Sequence, residues 1–278
     1  MTTVPDLRTV ELQALLRVAE RVLDTAVVCA DQAVVKRRSV GAPTSRGTWV
    51  RVSVAAVAAA AERPGLEASA ALPPEVRAPR WVRGHAWAEE GLLWRVEETE
   101  LVTASPLQTG GVLTEDPGVP TEWWQQLHTA LQSLATVDTA RLATPHTRPV
   151  TQQRVQRAIA AVAPDLEAPL DEWVVAHADL SWVNLTGPEL WLLDWEDFGR
   201  APRGWDAATL WAASLALPEL AEQVQEVFAA DLGSPSGLVC QLFQVAELLQ
   251  AGPDYAGAAF ASAEEACERL LSELTRRR

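Results

Sequence analysis

Residues 173–197 read WVVAHADLSWVNLTGPELWLLDWED, and the rest of the sequence is interpreted from this stretch. Two apolar runs rich in β-branched and aromatic residues are separated by Gly187-Pro188, which has the composition of a hairpin loop. A hairpin would bring Asn184 and Asp194 to the same end of a two-stranded ribbon. Mg²⁺ accepts amide and carboxylate oxygens, takes few protein ligands and completes its shell with water or phosphate oxygens. The stretch therefore predicts a magnesium site.

A third polar residue, Asp179, precedes Asn184 by five residues on the loop that enters the ribbon. From there its carboxylate can orient a hydroxyl group and accept its proton as the oxygen attacks phosphorus. A single Asp or Asn in a turn more often caps the local backbone than takes part in catalysis. The ordered set of polar residues favours the catalytic interpretation.

The periodicity outside this stretch changes from strand-like to helical along the chain. An amphipathic pattern predicts an opening helix over residues 9–23. In the remainder of the first hundred residues we expect strands at 27–28, 34–35, 49–52, 80–83 and 92–102, and an alanine-rich helix over 54–62. Later helices are expected from Thr121, as an N-cap, and over 205–216, 218–231, 238–250 and 262–276. The sequence predicts an α+β fold, sheet-rich first and helical afterwards.

The composition excludes several classes of protein. With 278 residues and 48% hydrophobic content, the chain can bury the core of one large domain or a two-lobed unit. A formal net charge of -14 argues against a surface for nucleic acid or anionic membrane, since polyanions would be repelled. Cys29, Cys240 and Cys267 are too few and too widely spaced for a disulfide framework or a zinc site. No leader segment or long apolar span is visible, so we expect a cytoplasmic protein.

The stretch resembles a known family of enzymes. HADLSWVN at residues 177–184 has the His-x-Asp spacing and the Asp-to-Asn interval of the kinase catalytic loop. LLDWE at residues 192–196 is similar to the metal-binding strand end of aminoglycoside phosphotransferases and choline kinases. The similarity extends to the segment at residues 124–135 and to GWDAA at residues 204–208, so it covers about residues 124 to 215.

This resemblance implies a protein-kinase-like, two-lobed fold with the nucleotide between a covering lobe, residues 1–98, and a catalytic and acceptor-binding lobe, residues 99–278. It implies ATP, or GTP, and Mg²⁺ as cofactors, and a hydroxyl of a small, amine-bearing metabolite or antibiotic as the acceptor. The roles that it implies are a catalytic base at Asp179, magnesium ligands at Asn184 and Asp194, and bracing of the loop by His177 and Asp206.

The resemblance also implies a phosphate-binding cation in the first lobe, paired with a helical glutamate. Arg51 occupies the place where the family pattern has lysine, and Lys36 is the alternative. Glu67 is the preferred partner, with Glu62 as its competitor. The segment at residues 41–47 either covers phosphates, with Arg46, or is an ordinary hairpin connection.

Several alternatives stay open. Glu196 and Asp197 could contact a cationic acceptor, although a capping role is favoured. Core packing is similarly favoured over acceptor binding for the tryptophans that flank the site, Trp182, Trp195 and Trp205. Two rivals to the enzyme are a catalytically inactive, kinase-like regulatory protein that binds nucleotide or metabolite, and a helical scaffold whose acidic turns only cap its helices. Neither the acceptor nor the oligomeric state follows from the sequence.

Overall fold

The computed structural model describes residues 3–27, 32–57 and 72–277. The chain forms two compact units. The first comprises Met1–Ala71 and Ala78–Thr103, and the second comprises Leu72–Arg77 and Ala104–Arg278. The short segment Leu72–Arg77 thus belongs to the second unit although strands of the first unit follow it.

The first unit contains a five-stranded antiparallel sheet. Its strands are β1 (Val34–Val35), β2 (Ser39–Pro43), β3 (Thr48–Ala56), β4 (Trp81–Glu89) and β5 (Leu92–Glu100), in the spatial order β1-β2-β3-β5-β4. Glu90 and Gly91 join β4 to β5 with φ angles of 50° and 79°. Positive φ at both positions is typical of the tight hairpin turn whose twist matches the flanking strands.

The core of this unit lies on one face of the sheet, where helix α1 (Leu12–Leu23) packs. The apolar stripe of α1 contributes Ala19 and Leu23, and the alternating positions of β3 contribute Val50 and Val52. Fully burying one such valine stabilises the fold by about 1.5–3 kcal/mol. Since side chains alternate along a strand, Arg51 lies on the opposite face of β3.

Three expectations for the first unit were wrong. Gly41–Pro43 are not loop residues but strand β2, paired with Trp49–Arg51, so the β2–β3 turn is limited to residues 44–47. Val54–Ala56 end strand β3 instead of beginning a helix, because they pair with Leu92–Trp94. Val27 makes only an isolated bridge to Thr44. Residues 58–62 of the predicted alanine-rich helix, which include Glu62, lie outside the described residues. Glu67, Val28 and Cys29 lie outside them as well.

The second unit is mainly helical. Its helices are α2 (Thr121–Ala135), α3 (Gln152–Ile159), α4 (Trp205–Ala213), α5 (Pro218–Val227), α6 (Ala229–Leu232), α7 (Pro235–Ala251), α8 (Pro253–Ala256) and α9 (Ala259–Arg276). Two small antiparallel pairs accompany them: β6 (Ser105–Pro106) with β8 (Thr186–Gly187), and β7 (Trp173–Ala176) with β9 (Gly199–Pro202).

Helix boundaries differ from the predicted ones at two places. Thr121 is the first helical residue and Pro120 occupies the N-cap, so the Thr121 side chain does not cap the helix. The single helix expected over 218–231 is two helices that meet at Phe228. Cys240 and Cys267 are buried thiols, as expected. In the part of the chain that the structure describes, no helix is long and apolar enough to cross a membrane.

Candidate active site

The loop after β7 is held by a carboxylate from α4. Asp206, in the first turn of that helix, accepts hydrogen bonds from the backbone N–H groups of His177 (2.7 Å) and Ala178 (2.8 Å). Ala178 has a φ of 72°, a left-handed conformation that costs free energy for a residue with a Cβ. Asp206 is buried, and its desolvation raises the pKa to about 6 although both N–H donors favour the charged form.

His177 fixes the same loop from the inside. Its fully buried ring places Nε2 at 2.7 Å from the carbonyl oxygen of Leu193, which can only accept, so Nε2 carries the proton. Nδ1 then accepts the backbone N–H of Asp179 at 3.3 Å. Burial lowers the pKa of His177 to about 4, so the ring is neutral at pH 7. These contacts support a positioning role.

Asp179 and Asn184 are joined through one amide group. Asn184 Nδ2 donates to the backbone carbonyl of Asp179 (2.8 Å) and to its carboxylate Oδ2 (2.9 Å). Both amide hydrogens are therefore directed at Asp179. Asn184 is 4% exposed, and its Oδ1 is the atom left for another ligand.

Asp194 is held in place by the peptide that precedes it. Leu193 donates its N–H to the carbonyl oxygen of Asn184 (2.8 Å) and accepts from His177 through its own carbonyl. Asp194 has φ 64° and ψ 59°, so it too is in the left-handed region, immediately before the 3₁₀ turn Trp195–Asp197. Such conformations persist where surrounding contacts fix them, and they are frequent at functional sites.

The predicted two-stranded ribbon is present but short. Leu185 and Leu192 form an antiparallel bridge, and the Thr186 N–H donates to the carbonyl oxygen of Trp191 at 3.2 Å. Residues 182–184 form a 3₁₀ turn, and Thr186–Gly187 also pair with β6. The backbone hydrogen bond between Asn184 and Leu193 nevertheless brings Asn184 next to the residue before Asp194.

A magnesium ion fits the chemistry of these donors. Among the described residues, no group of three or more His, Cys, Asp and Glu side chains could hold a metal ion. Asn184 Oδ1 and the Asp194 carboxylate are the oxygen donors that would hold an ion here, with phosphate oxygens and water completing its shell. Mg²⁺ is commonly bound in this way.

The acidic and aromatic residues that flank the site mainly support the fold. Asp197 is 7% exposed and accepts the hydroxyl of Thr144 at 3.1 Å. Arg141 donates to the backbone carbonyl of Glu196 at 2.7 Å. Trp182, Trp195 and Trp205 are each at most 2% exposed, so they are core residues, as favoured from the sequence.

The cations predicted in the first unit lie on different parts of the sheet. Arg51 is in β3, directly opposite Gly41 in β2 and Glu97 in β5. Lys36 is exposed and follows β1, while Arg46 donates to the backbone carbonyl of Asp24 at 2.6 Å. Glu97 was not singled out from the sequence, because strand register is set by non-local pairing and leaves no local signal.

Comparisons with known proteins identify the fold. No protein-family model and no curated protein sequence matches the chain. Among solved structures, aminoglycoside phosphotransferase APH(4)-Ia is 13% identical, with a TM-score of 0.56, and the match covers 95% of this chain and 99% of that one. Amicoumacin kinase hAmiN, in complex with AMP-PNP, Ca²⁺ and Ami, is 12% identical, with a TM-score of 0.54 and coverage of 91% and 93%.

A third solved structure is aminoglycoside phosphotransferase APH(3'')-Id from Streptomyces rimosus, in complex with ADP and streptomycin. It is 14% identical, with a TM-score of 0.50, and the match covers 86% of this chain and 97% of that one. Identities this low show the fold alone. The predicted fold is confirmed: the chain has the protein-kinase-like fold of the aminoglycoside phosphotransferases and amicoumacin kinase, with a small antiparallel sheet unit and a larger helical unit.

Proposed function

We propose that the chain is a small-molecule phosphotransferase that transfers the γ-phosphoryl group of ATP to a hydroxyl group. The observation that carries the proposal is the shared fixation of Asp179, Asn184 and Asp194 by His177 and the Leu193 peptide. A loop that served only as a connection would not need a buried histidine and a buried aspartate to fix its backbone. Structures of similar fold that contain AMP-PNP with Ca²⁺, or ADP, support nucleotide as the donor.

In the proposed reaction, the hydroxyl oxygen of the acceptor attacks the γ-phosphorus as the bond to the ADP oxygen breaks. The Asp179 carboxylate orients that hydroxyl and takes its proton. The hydrogen bond from Asn184 Nδ2 to Asp179 Oδ2 fixes the direction of the carboxylate. Asn184 Oδ1 and Asp194 would hold Mg²⁺, which when bound offsets negative charge on the phosphates.

The charge distribution supports a cationic acceptor. The second unit contains 25 acidic and 11 basic residues, a formal net charge of -14, whereas the first contains 12 of each and is neutral. All of the net negative charge of the protein therefore belongs to the unit that contains Asp179. A strongly acidic unit raises the local concentration of cations, so an amine-bearing acceptor fits it better than an anionic one.

The second candidate function is a kinase-like protein that binds nucleotide without transferring phosphate. Arg51 favours it, because a planar guanidinium and a lysine ammonium are not interchangeable where phosphate geometry is tight. This candidate predicts nucleotide binding and no product with any acceptor.

Thermal unfolding with ATP or GTP, each with and without Mg²⁺, tests the proposal without knowledge of the acceptor. A nucleotide at ~100 times its Kd adds about 2.7 kcal/mol to the free energy of unfolding, a shift of several degrees in Tm. We expect the Mg²⁺-dependent shift in the parent to disappear in Asp194→Ala and to persist in Asp254→Ala, an exposed control. No shift with either nucleotide would refute nucleotide binding. If the shift is present, amine-bearing alcohols should be screened for phosphorylation.

A further inference from the structure

Strand β4 forms one edge of the sheet in the first unit. It pairs with β5 on one side, and among the described residues no strand pairs with it on the other side. It has nine residues, whereas β1, the strand at the opposite edge, has two. A long edge strand presents a row of backbone N–H and C=O groups that can pair with another strand. The outer edge of β4 is therefore a candidate interaction surface.

The hairpin between β4 and β5 shows which backbone groups are directed away from β5. The turn has two residues, so Glu89 and Leu92 form the hydrogen-bonded pair that closes it. Pairs of this kind alternate with non-hydrogen-bonded pairs, so every second residue from the one before Glu89 directs its backbone groups outward. These residues are Gly84, Ala86 and Ala88, and all three are exposed. No backbone hydrogen bond between described residues outside the strand ladders uses their N–H or C=O groups.

The second part of β4 lacks the features that usually protect an edge strand from pairing. Residues 83–89 read RGHAWAE and contain neither Lys nor Pro. The bulge of β4 lies before this segment, between Trp81 and Arg83, so the segment itself is regular. Its three outward residues have at most a methyl side chain, which allows another backbone to approach closely.

We propose that this edge pairs with the same edge of a second copy of the chain, antiparallel and with the two-fold axis at Ala86. Ala86 then faces Ala86 of the second copy, and Gly84 faces Ala88. Each facing pair of outward residues exchanges two backbone hydrogen bonds, about six in all. The same surface is used by both copies, as in most two-fold dimers.

The charged side chains at the ends of the segment favour this register. Arg83 faces Glu89 of the second copy, and the symmetry repeats the pair at the other end of the segment. Arg83 donates Nε to the Glu98 carboxylate at 2.6 Å, which leaves its two terminal nitrogens for another acceptor. Glu89 is exposed. Shifting the pairing by two residues in either direction would place Arg83 opposite Trp87 or Gly91 instead.

The distribution of formal charge also favours contact through the first unit. This unit has as many acidic as basic residues, whereas the second unit carries the whole net charge of -14. Pairing through β4 joins two neutral units, while pairing through the second units would join two strongly acidic ones. The proposal uses residues of the first unit alone, so it does not depend on the proposed phosphotransfer.

Sedimentation velocity at increasing protein concentration tests the proposal. We expect the parent to form a species of twice the chain mass. Ala86→Lys places two ammonium groups opposite each other at the two-fold axis, so the Kd of the dimer should rise at least about 10-fold. Ala261→Lys adds the same charge at an exposed position of α9 and should leave the dimer intact. A parent that stays monomeric, or a dimer that Ala86→Lys does not weaken, would overturn the proposal.

Disulfide trapping tests the register and covers the case in which Ala86→Lys does not fold. Facing residues of a hydrogen-bonded antiparallel pair have Cα atoms about 5.5 Å apart, which a disulfide can bridge. Ala86→Cys should therefore cross-link two copies under oxidising conditions. In Ala88→Cys the new thiols lie four residues out of register, roughly 13 Å apart along the strand, and should not cross-link.

The parent, which keeps its natural cysteines, is the control for other disulfides in this experiment. The proportion of covalent dimer would be measured on non-reducing gels. No covalent dimer in Ala86→Cys, or as much in Ala88→Cys as in Ala86→Cys, would refute the pairing at Ala86.

Discussion

Asp179 and Asn184 are joined by two hydrogen bonds from a single amide group, so the direction of the Asp179 carboxylate depends on its neighbour. Asp179→Asn keeps the size of the side chain but removes its ability to accept a proton. We expect turnover of an identified acceptor to fall by about 10²–10⁴-fold while ATP affinity changes little. Steady-state kinetics and direct ATP binding would check this, with Asp254→Asn as the control. Equal turnover of variant and parent would exclude Asp179 as the base.

His177 and Asp206 give the loop opposite dependences on pH. The pKa of His177 is about 4 in the folded protein against an ordinary value of 6.5, so its stabilising contribution is present above pH 6.5 and is lost as the pH falls toward 4. The pKa of Asp206 is about 6 against an ordinary value of 3.8, so its contribution is present below pH 3.8 and is lost as the pH rises through 6. The two contributions offset each other between pH 4 and 6.

A variant that removes only the histidine separates the contribution of His177 from that of Asp206. His177→Gln supplies an uncharged amide and leaves Asp206 unchanged. Relative to this variant, the parent should lose up to ~3 kcal/mol of unfolding free energy as the pH falls from 6.5 to 4, since each pKa unit corresponds to 1.36 kcal/mol. Urea unfolding of both proteins without metal or nucleotide at several pH values measures the difference. If the unfolding free energies of the parent and His177→Gln change with pH in parallel, His177 does not titrate as its burial implies.

The polar residues of the loop could be predicted from the sequence, whereas Glu97 could not. His177, Asp179 and Asn184 lie within one loop, so their spacing is a local pattern that can be recognised in the sequence. The relation between Arg51 and Glu97 depends on how β3 pairs with β5, and strand pairing joins residues 46 positions apart in the sequence. One residue of slip in register would place Glu97 on the other face of the sheet.

Secondary-structure elements were predicted best where their periodicity was long. Helices α2, α7 and α9 show stripes over several turns, and their predicted positions are close to the observed ones. The prediction failed at Val54–Ala56, where alanine favours a helix but pairing with β5 imposes a strand. It also failed at Gly41–Pro43, where glycine and proline were interpreted as loop signals although Ala42 and its neighbours are buried in β2.

The start of α7 is packed against backbone and leaves no space for a side chain at Gly237. A Cβ at that position would lie 1.9 Å from the carbonyl oxygen of Asp231 and 2.9 Å from Leu232 Cα. A Cβ on Gly204, the N-cap of α4, would likewise lie 2.9 Å from Gly237 Cα, so the two glycines pack closely and Gly237→Ala should also disturb the helix that carries Asp206.

We expect Gly237→Ala to lower the unfolding free energy by about 1–3 kcal/mol, the usual cost of overpacking. Glu247→Ala, at an exposed position of the same helix, should change it by less than about 0.5 kcal/mol. Urea unfolding of the two variants and the parent provides the comparison. Equal stabilities for Gly237→Ala and the parent would mean that the backbone near Asp231 can move without cost.

At the level of the complete chain, composition gives the total charge but not where it lies. The full sequence has a formal net charge of -14. The division into units assigns all of that net charge to the second unit. The charge of each unit cannot be calculated from the sequence alone, because tertiary contacts decide which residues belong to which unit. Leu72–Arg77, for example, belongs to the second unit although the strands that follow it belong to the first.

The charge distribution makes a prediction about kinetics. If the acceptor is cationic, its encounter with the acidic unit is favoured by long-range attraction, and salt screens that attraction. The Debye length falls from about 10 Å at 0.1 M salt to about 3 Å at 1 M. We therefore expect the KM for an amine-bearing acceptor to rise several-fold over this range while kcat stays nearly constant.

An uncharged acceptor with the same reactive hydroxyl is the matched control, and its KM should depend little on salt. Inert salts such as KCl should give the same result as NaCl, because screening depends on ionic strength and not on the identity of the ion. A KM for the amine that is insensitive to salt would remove the electrostatic argument for a cationic acceptor. The proposed magnesium-dependent nucleotide site would be unaffected by that outcome, since the proposal rests on Asn184 and Asp194 and not on the net charge of the unit.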